Sequence, residues 1–210
     1  MRYKRIVIEG NIGAGKTSLA TKLADEFSGL KILETFSDNP FLPRFYQNPA
    51  RYALPLELFF MAERFQQLRS VFSKPDLFHE IVVCDYMFHK SLVFARVTLT
   101  NVEFALYQRV FGMMNMQLPA PDLIVYLHSP VKSLLDNISE RGRGYEQAIT
   151  GDYLTKLQDA YMSYFKQSLD QRVLILDASE LDFVNDLNAY EAVKKTLDTE
   201  YPVGVSYEAA

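Results

Sequence analysis

The chain has one cysteine among its 210 residues, Cys84, set in the apolar run Ile81-Val82-Val83-Cys84. A single thiol cannot build a disulfide framework, so a reducing cytoplasm is the expected setting. Positive charge is scarce as well: 22 Lys and Arg stand against 26 Asp and Glu, a net charge of −4. A nucleic acid or an anionic membrane would favour a basic face, so neither is expected as a partner, although a few local arginines could still hold a small anion. Long apolar runs are missing too. The basic start Met1-Arg2-Tyr3-Lys4-Arg5 leads only into Ile6-Val7-Ile8, too short for a signal peptide. No run approaches the roughly 20 apolar residues that span a bilayer. No Pro/Gly/Ser-rich linker, low-complexity tract or repeat divides the chain. The three histidines, His79, His89 and His128, have no metal-ligand spacing.

What is present is an alternation of short apolar runs with longer helical patterns. The runs Arg5–Glu9, Lys31–Glu34, Ile81–Asp85, Leu123–His128 and Val173–Asp177 are rich in Val, Ile and Leu. Continuous apolar runs suit parallel strands buried on both faces. Helical patterns cover Lys16–Glu26, Pro55–Phe72, Val131–Ser139, Gly151–Gln167 and Asn188–Leu197. Another spans 88–117, which is long enough to require a break near Thr100-Asn101. The alternation predicts an α/β fold with a five-stranded parallel sheet flanked by helices. It forms one domain over residues 1–203, with a flexible tail at 204–210. Ligands of such sheets bind at the carboxyl ends of the strands, where Glu9, Glu34, Asp85 and His128 lie.

The segment Gly10-Asn11-Ile12-Gly13-Ala14-Gly15-Lys16-Thr17 matches G-x-x-x-x-G-K-[ST], follows a predicted strand and opens a predicted helix at Ser18. Glycines let backbone N–H groups wrap the phosphates, and the helix N-terminus adds its positive dipole end. Lys16 is then expected on the β- and γ-phosphates of ATP, with the Thr17 hydroxyl on Mg²⁺. This P-loop specifies a nucleotide site without naming a reaction. A base-reading N-K-x-D, which a GTPase would carry, is missing.

Three features suggest a small acceptor. Glu34 ends the second strand and could take a proton from an attacking hydroxyl. Asp85 ends the third and could hold Mg²⁺. The glycine-punctuated stretch Ser139-Glu140-Arg141-Gly142-Arg143-Gly144-Tyr145-Glu146 reads as a lid over about 139–150, with Arg141 and Arg143 neutralising phosphate charge.

With these residues in place the chain resembles the deoxynucleoside kinases, the family of deoxycytidine, deoxyguanosine and deoxyadenosine kinases. The likeness runs from Tyr3 to about Tyr190. It rests on Ile8-Glu9-Gly10-Asn11-Ile12-Gly13-Ala14-Gly15-Lys16-Thr17, on Glu34, on Arg141-Gly142-Arg143 with Glu146, and on Asp152-Tyr153-Leu154 with Tyr161. The resemblance implies a P-loop kinase fold and Mg·ATP-dependent phosphorylation of a deoxynucleoside 5′-hydroxyl for nucleotide salvage. It also implies Tyr46 and Glu146 on the sugar 3′-hydroxyl, Arg64 close to the base, and Leu33, Phe59 and Phe94 lining the pocket. A homodimer packed through helices is implied as well. The family's base-reading glutamine falls at Glu57, whose carboxylate accepts but does not donate, which tilts the expectation towards a purine.

The sequence departs from the family at Asp85-Tyr86-Met87, where the family has an acid followed by arginine and serine, and at Ser91, where it often has an acid. Tyr86 then stands at the acceptor site in place of a cation. Either a lid arginine or Lys90 supplies the charge, or turnover is slower. Two other readings stay open. A thymidylate-type monophosphate kinase would need cations on an acceptor phosphate, for which Arg44 and Arg64 are available. A non-catalytic ATP switch would tolerate Tyr86 but needs neither the lid nor Tyr46.

Overall fold

Parallel strands are buried on both faces, so apolar runs such as Ile6-Val7-Ile8 must be covered by helices above and below. The computed structural model describes residues 1–35, 39–73, 78–115, 118–168 and 170–209 and shows that arrangement. Among these residues six strands form one sheet in the order β2-β3-β1-β4-β5-β6, all parallel. They are β1 (Arg5–Gly10), β2 (Leu30–Ile32), β3 (Val82–Cys84), β4 (Leu123–His128), β5 (Arg172–Asp177) and β6 (Gly204–Ala209). The helices are α1 (Lys16–Glu26), α2 (Leu42–Gln47), α3 (Pro49–Phe72), α4 (Lys90–Thr98), α5 (Asn101–Asn115), α6 (Val131–Arg141), α7 (Gly151–Gln167) and α8 (Leu187–Leu197). One core cluster packs Ile6, Ile8 and Val125 against Leu19 and Leu23 of α1, Leu134 of α6 and Val193 of α8. The other packs Val7, Ile124 and Ile175 against Met61 and Leu68 of α3, Phe111 of α5 and Phe165 of α7.

The expected break in the stretch 88–117 falls between α4 and α5, and its cause is a capping box. Thr100 N donates to Glu103 Oε2 at 2.9 Å, and Glu103 N donates back to Thr100 Oγ1 at 3.4 Å. Residues 116–117 lie outside the described residues. The α3 helix starts six residues earlier than its sequence pattern suggests. Asn48 Oδ1 accepts from Arg51 N at 3.3 Å, and Pro49 occupies the first turn, where its missing N–H is harmless. Pro55 therefore sits inside the helix instead of opening it.

The sheet has six strands, not five, and residues 204–209 form the sixth instead of a flexible tail. Gly204 N donates to the Gln171 carbonyl at 2.7 Å, and Arg172 through Asp177 then pair in register with Gly204 through Ala209. An edge strand is half-exposed, so Gly-Val-Ser-Tyr-Glu-Ala carries no apolar run, and its pairing comes from backbone groups that any side chain can supply. The lid region also holds more regular structure than a loop. The α6 helix continues through Arg141, Gly142 closes it at φ 69°, and a short 3₁₀ helix follows over Gly144–Ala148.

Candidate active site

The strand order brings the ends of β1, β2 and β3 side by side, so three separated segments meet at one edge of the sheet. The β1 strand runs into the phosphate loop, which turns into α1 at Gly15 with φ 82°. A Cβ at Gly15 would stand 2.8 Å from Phe183 Cζ, and one at Gly13 would stand 2.7 Å from the Leu134 carbonyl oxygen, so side chains are excluded there. Polar contacts hold the loop in shape. Asn11 Nδ2 donates to the Leu154 carbonyl and Asn137 Nδ2 to the Gly13 carbonyl, both at 2.8 Å. Lys16 Nζ folds back onto the Asn11 carbonyl at 2.8 Å. Beneath the loop, buried Glu9 accepts from Met87 N and from Tyr161 Oη, each at 2.8 Å.

Asp85, just past β3, links the other two strand ends. Its Oδ2 accepts from Thr17 Oγ1 at 2.5 Å, and its Oδ1 accepts from the backbone N of Glu34 at 2.7 Å. The Glu34 side chain then turns into a cavity between two cations. Arg64 holds Oε1 through Nε at 2.7 Å and Nη2 at 2.6 Å, while Lys90 Nζ holds Oε2 at 2.5 Å. Burial alone would raise the Glu34 pKa. Lys90 and Arg64 outweigh it and bring the carboxylate down to about 2. Burial and the neighbouring Lys90 also push Lys16 down to about 8.

The cavity is lined by Ile12, Gly13, Lys16, Thr17, Glu34 and Asp85 on the phosphate side. Tyr46, Leu56, Glu57, Phe60, Arg64 and Phe94 lie on its apolar side, and Arg141, Arg143 and Glu146 come from the lid. Both lid arginines are drawn to one acid: Arg141 Nη2 stands 2.5 Å from Glu146 Oε2, and Arg143 Nη1 stands 3.3 Å from Oε1. Glu57 is buried, takes a hydrogen bond from Thr98 Oγ1 at 2.9 Å, and is pushed up to about 7 by burial. Arg64 binds Glu34 instead of Glu57, and its Nη1 donates to Ser91 Oγ at 2.8 Å.

Most of the residues picked out by sequence therefore share one cavity, with exceptions. Tyr86 lies outside it. It is fully buried in the second core cluster and donates to Gln67 Oε1 at 2.6 Å, because an uncharged ring is drawn into apolar surroundings that a guanidinium would resist. Leu33 and Phe59 do not line the cavity; Phe60 does, one residue further round α3, and Phe59 packs edge-on against Phe41. Ser18 is exposed on the first turn of α1. Sequence reasoning missed Leu42, Phe45 and Leu56, whose apolar character carried no sign of a cavity, and it gave Tyr153 no place in the cavity.

The model for the deoxynucleoside kinases matches residues 6–201. The chain belongs to that family. It is accordingly a phosphotransferase acting on a deoxynucleoside hydroxyl. The kinase is 34% identical to the deoxyguanosine kinase of Bacillus subtilis, over 90% of this chain and 93% of that protein. It is 29% identical to the deoxyadenosine kinase of Lactobacillus acidophilus, over 92% and 94%. The fold matches the deoxyadenosine kinase of M. mycoides with bound dATP at a TM-score of 0.80 and 20% identity, covering 94% of this chain and 100% of that one.

Substituting Arg64 by Met leaves a buried carboxylate with Lys90 as its remaining partner in the pair network. The expected loss is about 3 kcal/mol of folding stability, read from urea unfolding. A loss below about 1 kcal/mol would show that Lys90 neutralises Glu34 unaided.

Proposed function

We propose that this kinase transfers the γ-phosphoryl group of Mg·ATP to the 5′-hydroxyl of a purine deoxynucleoside, deoxyguanosine or deoxyadenosine. The reading is carried by the bonded series Thr17–Asp85–Glu34, which joins the phosphate loop to a carboxylate in the acceptor cavity. Lys16 and the loop amides hold the donor phosphates, and the lid residues Arg141 and Arg143 close over them once phosphate oxygens compete for their contacts with Glu146. The Thr17 hydroxyl and Asp85 carboxylate are hard oxygen donors, few in number, which fits a cation that keeps waters and phosphates in its shell. They would hold Mg²⁺, which neutralises charge on the phosphates. Glu34 is ionised throughout the working pH range. It orients the 5′-hydroxyl and takes its proton late, after bonding to phosphorus has acidified it.

Tyr46 and Glu146 line the same cavity, where they would bond the sugar 3′-hydroxyl. The monophosphate-kinase reading is less well supported: Arg64 is committed to Glu34 and Ser91, and Arg44 is exposed and outside the cavity lining. A cytoplasmic setting fits the free, buried thiol of Cys84, which burial pushes up to about 12. No helix among the described residues is long and apolar enough to cross a membrane. A homodimer through α5 fits the exposed Val102 (82%) and Leu106 (58%), which lie one turn apart on that helix.

Glu57 bears on the choice of base. It faces Arg64 and Lys90, which favour its ionised form, and Glu34, which opposes it. Thr98 donates to it, and Tyr46, Tyr107 and Tyr153 are kept neutral by burial with Glu57 nearby. Above about 7 the ionised carboxylate only accepts, which suits the adjacent N–H and NH₂ of guanine. Below it the carboxyl both donates and accepts, which suits the ring nitrogen and amine of adenine.

Mg·ATP offered with the four deoxynucleosides, four ribonucleosides and four deoxynucleoside monophosphates should phosphorylate the purine deoxynucleosides fastest. Transfer to monophosphates alone would overturn the assignment. Glu34→Gln should lose about 100-fold or more in kcat while ATP affinity is kept, and unchanged turnover would remove Glu34 as the base. The ratio of kcat/KM for deoxyguanosine over deoxyadenosine should rise at least about ten-fold from pH 6 to pH 8. A ratio equally flat in wild type and Glu57→Gln would end the Glu57 argument. Leu106→Glu should halve the mass seen in light scattering, and a wild-type monomer would refute the dimer.

A further inference from the structure

Lys90 is the first residue of α4, where the helix dipole already presents its positive end. A lysine there works against the dipole, and its side chain is only 5% exposed, so its desolvation is unfavourable too. Stability does not call for it, because Arg64 already meets Glu34 through two nitrogens. A buried cation set against both tendencies in a cleft points to chemistry.

Its position shows which chemistry. Arg64 is committed to Glu34 and Ser91. Lys90 lines the cavity together with Lys16 and Thr17 of the phosphate loop, as well as holding Glu34. The lid arginines stand at the rim, 35% and 31% exposed, and are held by Glu146. Lys90 thus shares one cavity with the carboxylate proposed to receive the proton and with the loop proposed to hold the donor phosphates.

We propose that Lys90 is a catalytic residue, the cation that stabilises the migrating phosphoryl group from the acceptor side. This rests on the deoxynucleoside phosphorylation proposed above. The bond from the 5′-oxygen to the γ-phosphorus forms as the bond from that phosphorus to the bridging oxygen breaks. The bonding pair leaves on the β-phosphate of ADP, and the hydroxyl proton passes to Glu34. Lys90 Nζ carries three N–H donors and gives one to Glu34, so the others can meet the phosphoryl oxygens before the proton moves, and its hold on Glu34 weakens once that carboxylate is protonated. Lys90 keeps all its protons throughout. This supplies the charge that Tyr86 cannot, and it gives the Lys90–Glu34 ion pair a role that changes during the reaction.

The test compares Lys90→Gln, Lys90→Arg and wild type with Mg·ATP and the best deoxynucleoside. Lys90→Gln should lose about 100-fold in kcat with the deoxynucleoside KM changed less than about five-fold, and Lys90→Arg should recover at least about ten-fold of it. Affinity for Mg·ADP with aluminium fluoride and deoxynucleoside, a mimic of the transferring phosphoryl, should fall by a similar factor while ATP affinity holds. Lys90→Gln turnover within about three-fold of wild type, loss through KM alone, or no gain from arginine would each overturn the proposal. If Lys90→Gln fails to fold, Lys90→Arg and wild type bound to the fluoride mimic decide: equal affinity for ATP with weaker mimic binding supports it, and parallel loss of both refutes it. Wild type inactive on every deoxynucleoside would instead sink the functional reading beneath it.

Discussion

Asp85 is the constraint on which the rest of the site depends. Its two oxygens reach opposite neighbours, the Thr17 hydroxyl on the phosphate loop and the Glu34 amide past β2. Because β3 lies between β1 and β2, one carboxylate at its end can fix the phosphate loop and the Glu34 segment relative to each other. An effective transfer site needs its reacting groups held to within a fraction of an ångström. Hydrogen bonds on both sides of a single rigid strand end are an economical way to do this.

Around that link the charges are balanced before any substrate arrives. Glu34 lies between Arg64 and Lys90, and Glu146 gathers Arg141 and Arg143. A buried charge without a partner is strongly unfavourable, so an empty site of this kind must neutralise itself. Each internal pair is also a contact that a substrate can exchange for its own. In the proposed reaction phosphates would compete for Arg141 and Arg143, and a sugar hydroxyl would compete for Glu146. Such a cavity is preorganised electrostatically, with cations held in place before any charge develops in the proposed reaction.

The two substitutions relative to the family make sense together. Tyr86 is uncharged and sinks into the second core with its hydroxyl on Gln67, so that position no longer offers a cation. Ser91 leaves Arg64 without an acid at that position, and Arg64 turns two nitrogens to Glu34.

Much of this was legible in the chain because its causes are local. The phosphate loop needs glycines where side chains would collide, and the capping box at Thr100 and Glu103 ends one helix and begins the next within four residues. Buried strands needed uninterrupted Val, Ile and Leu, which placed the five inner and flanking runs. The sixth strand was not legible, since an edge strand pairs through backbone groups and has no apolar run to signal it. Nor could the chain show that Arg64 would choose Glu34 over Glu57, or that Tyr86 would face the core. Those outcomes depend on which buried groups meet across elements about thirty to seventy residues apart. The sequence determined the family and the donor loop through short-range geometry. Only the tertiary structure decided the partners of each acceptor-side charge, because desolvation and pairing are properties of the assembled cavity and not of any one segment.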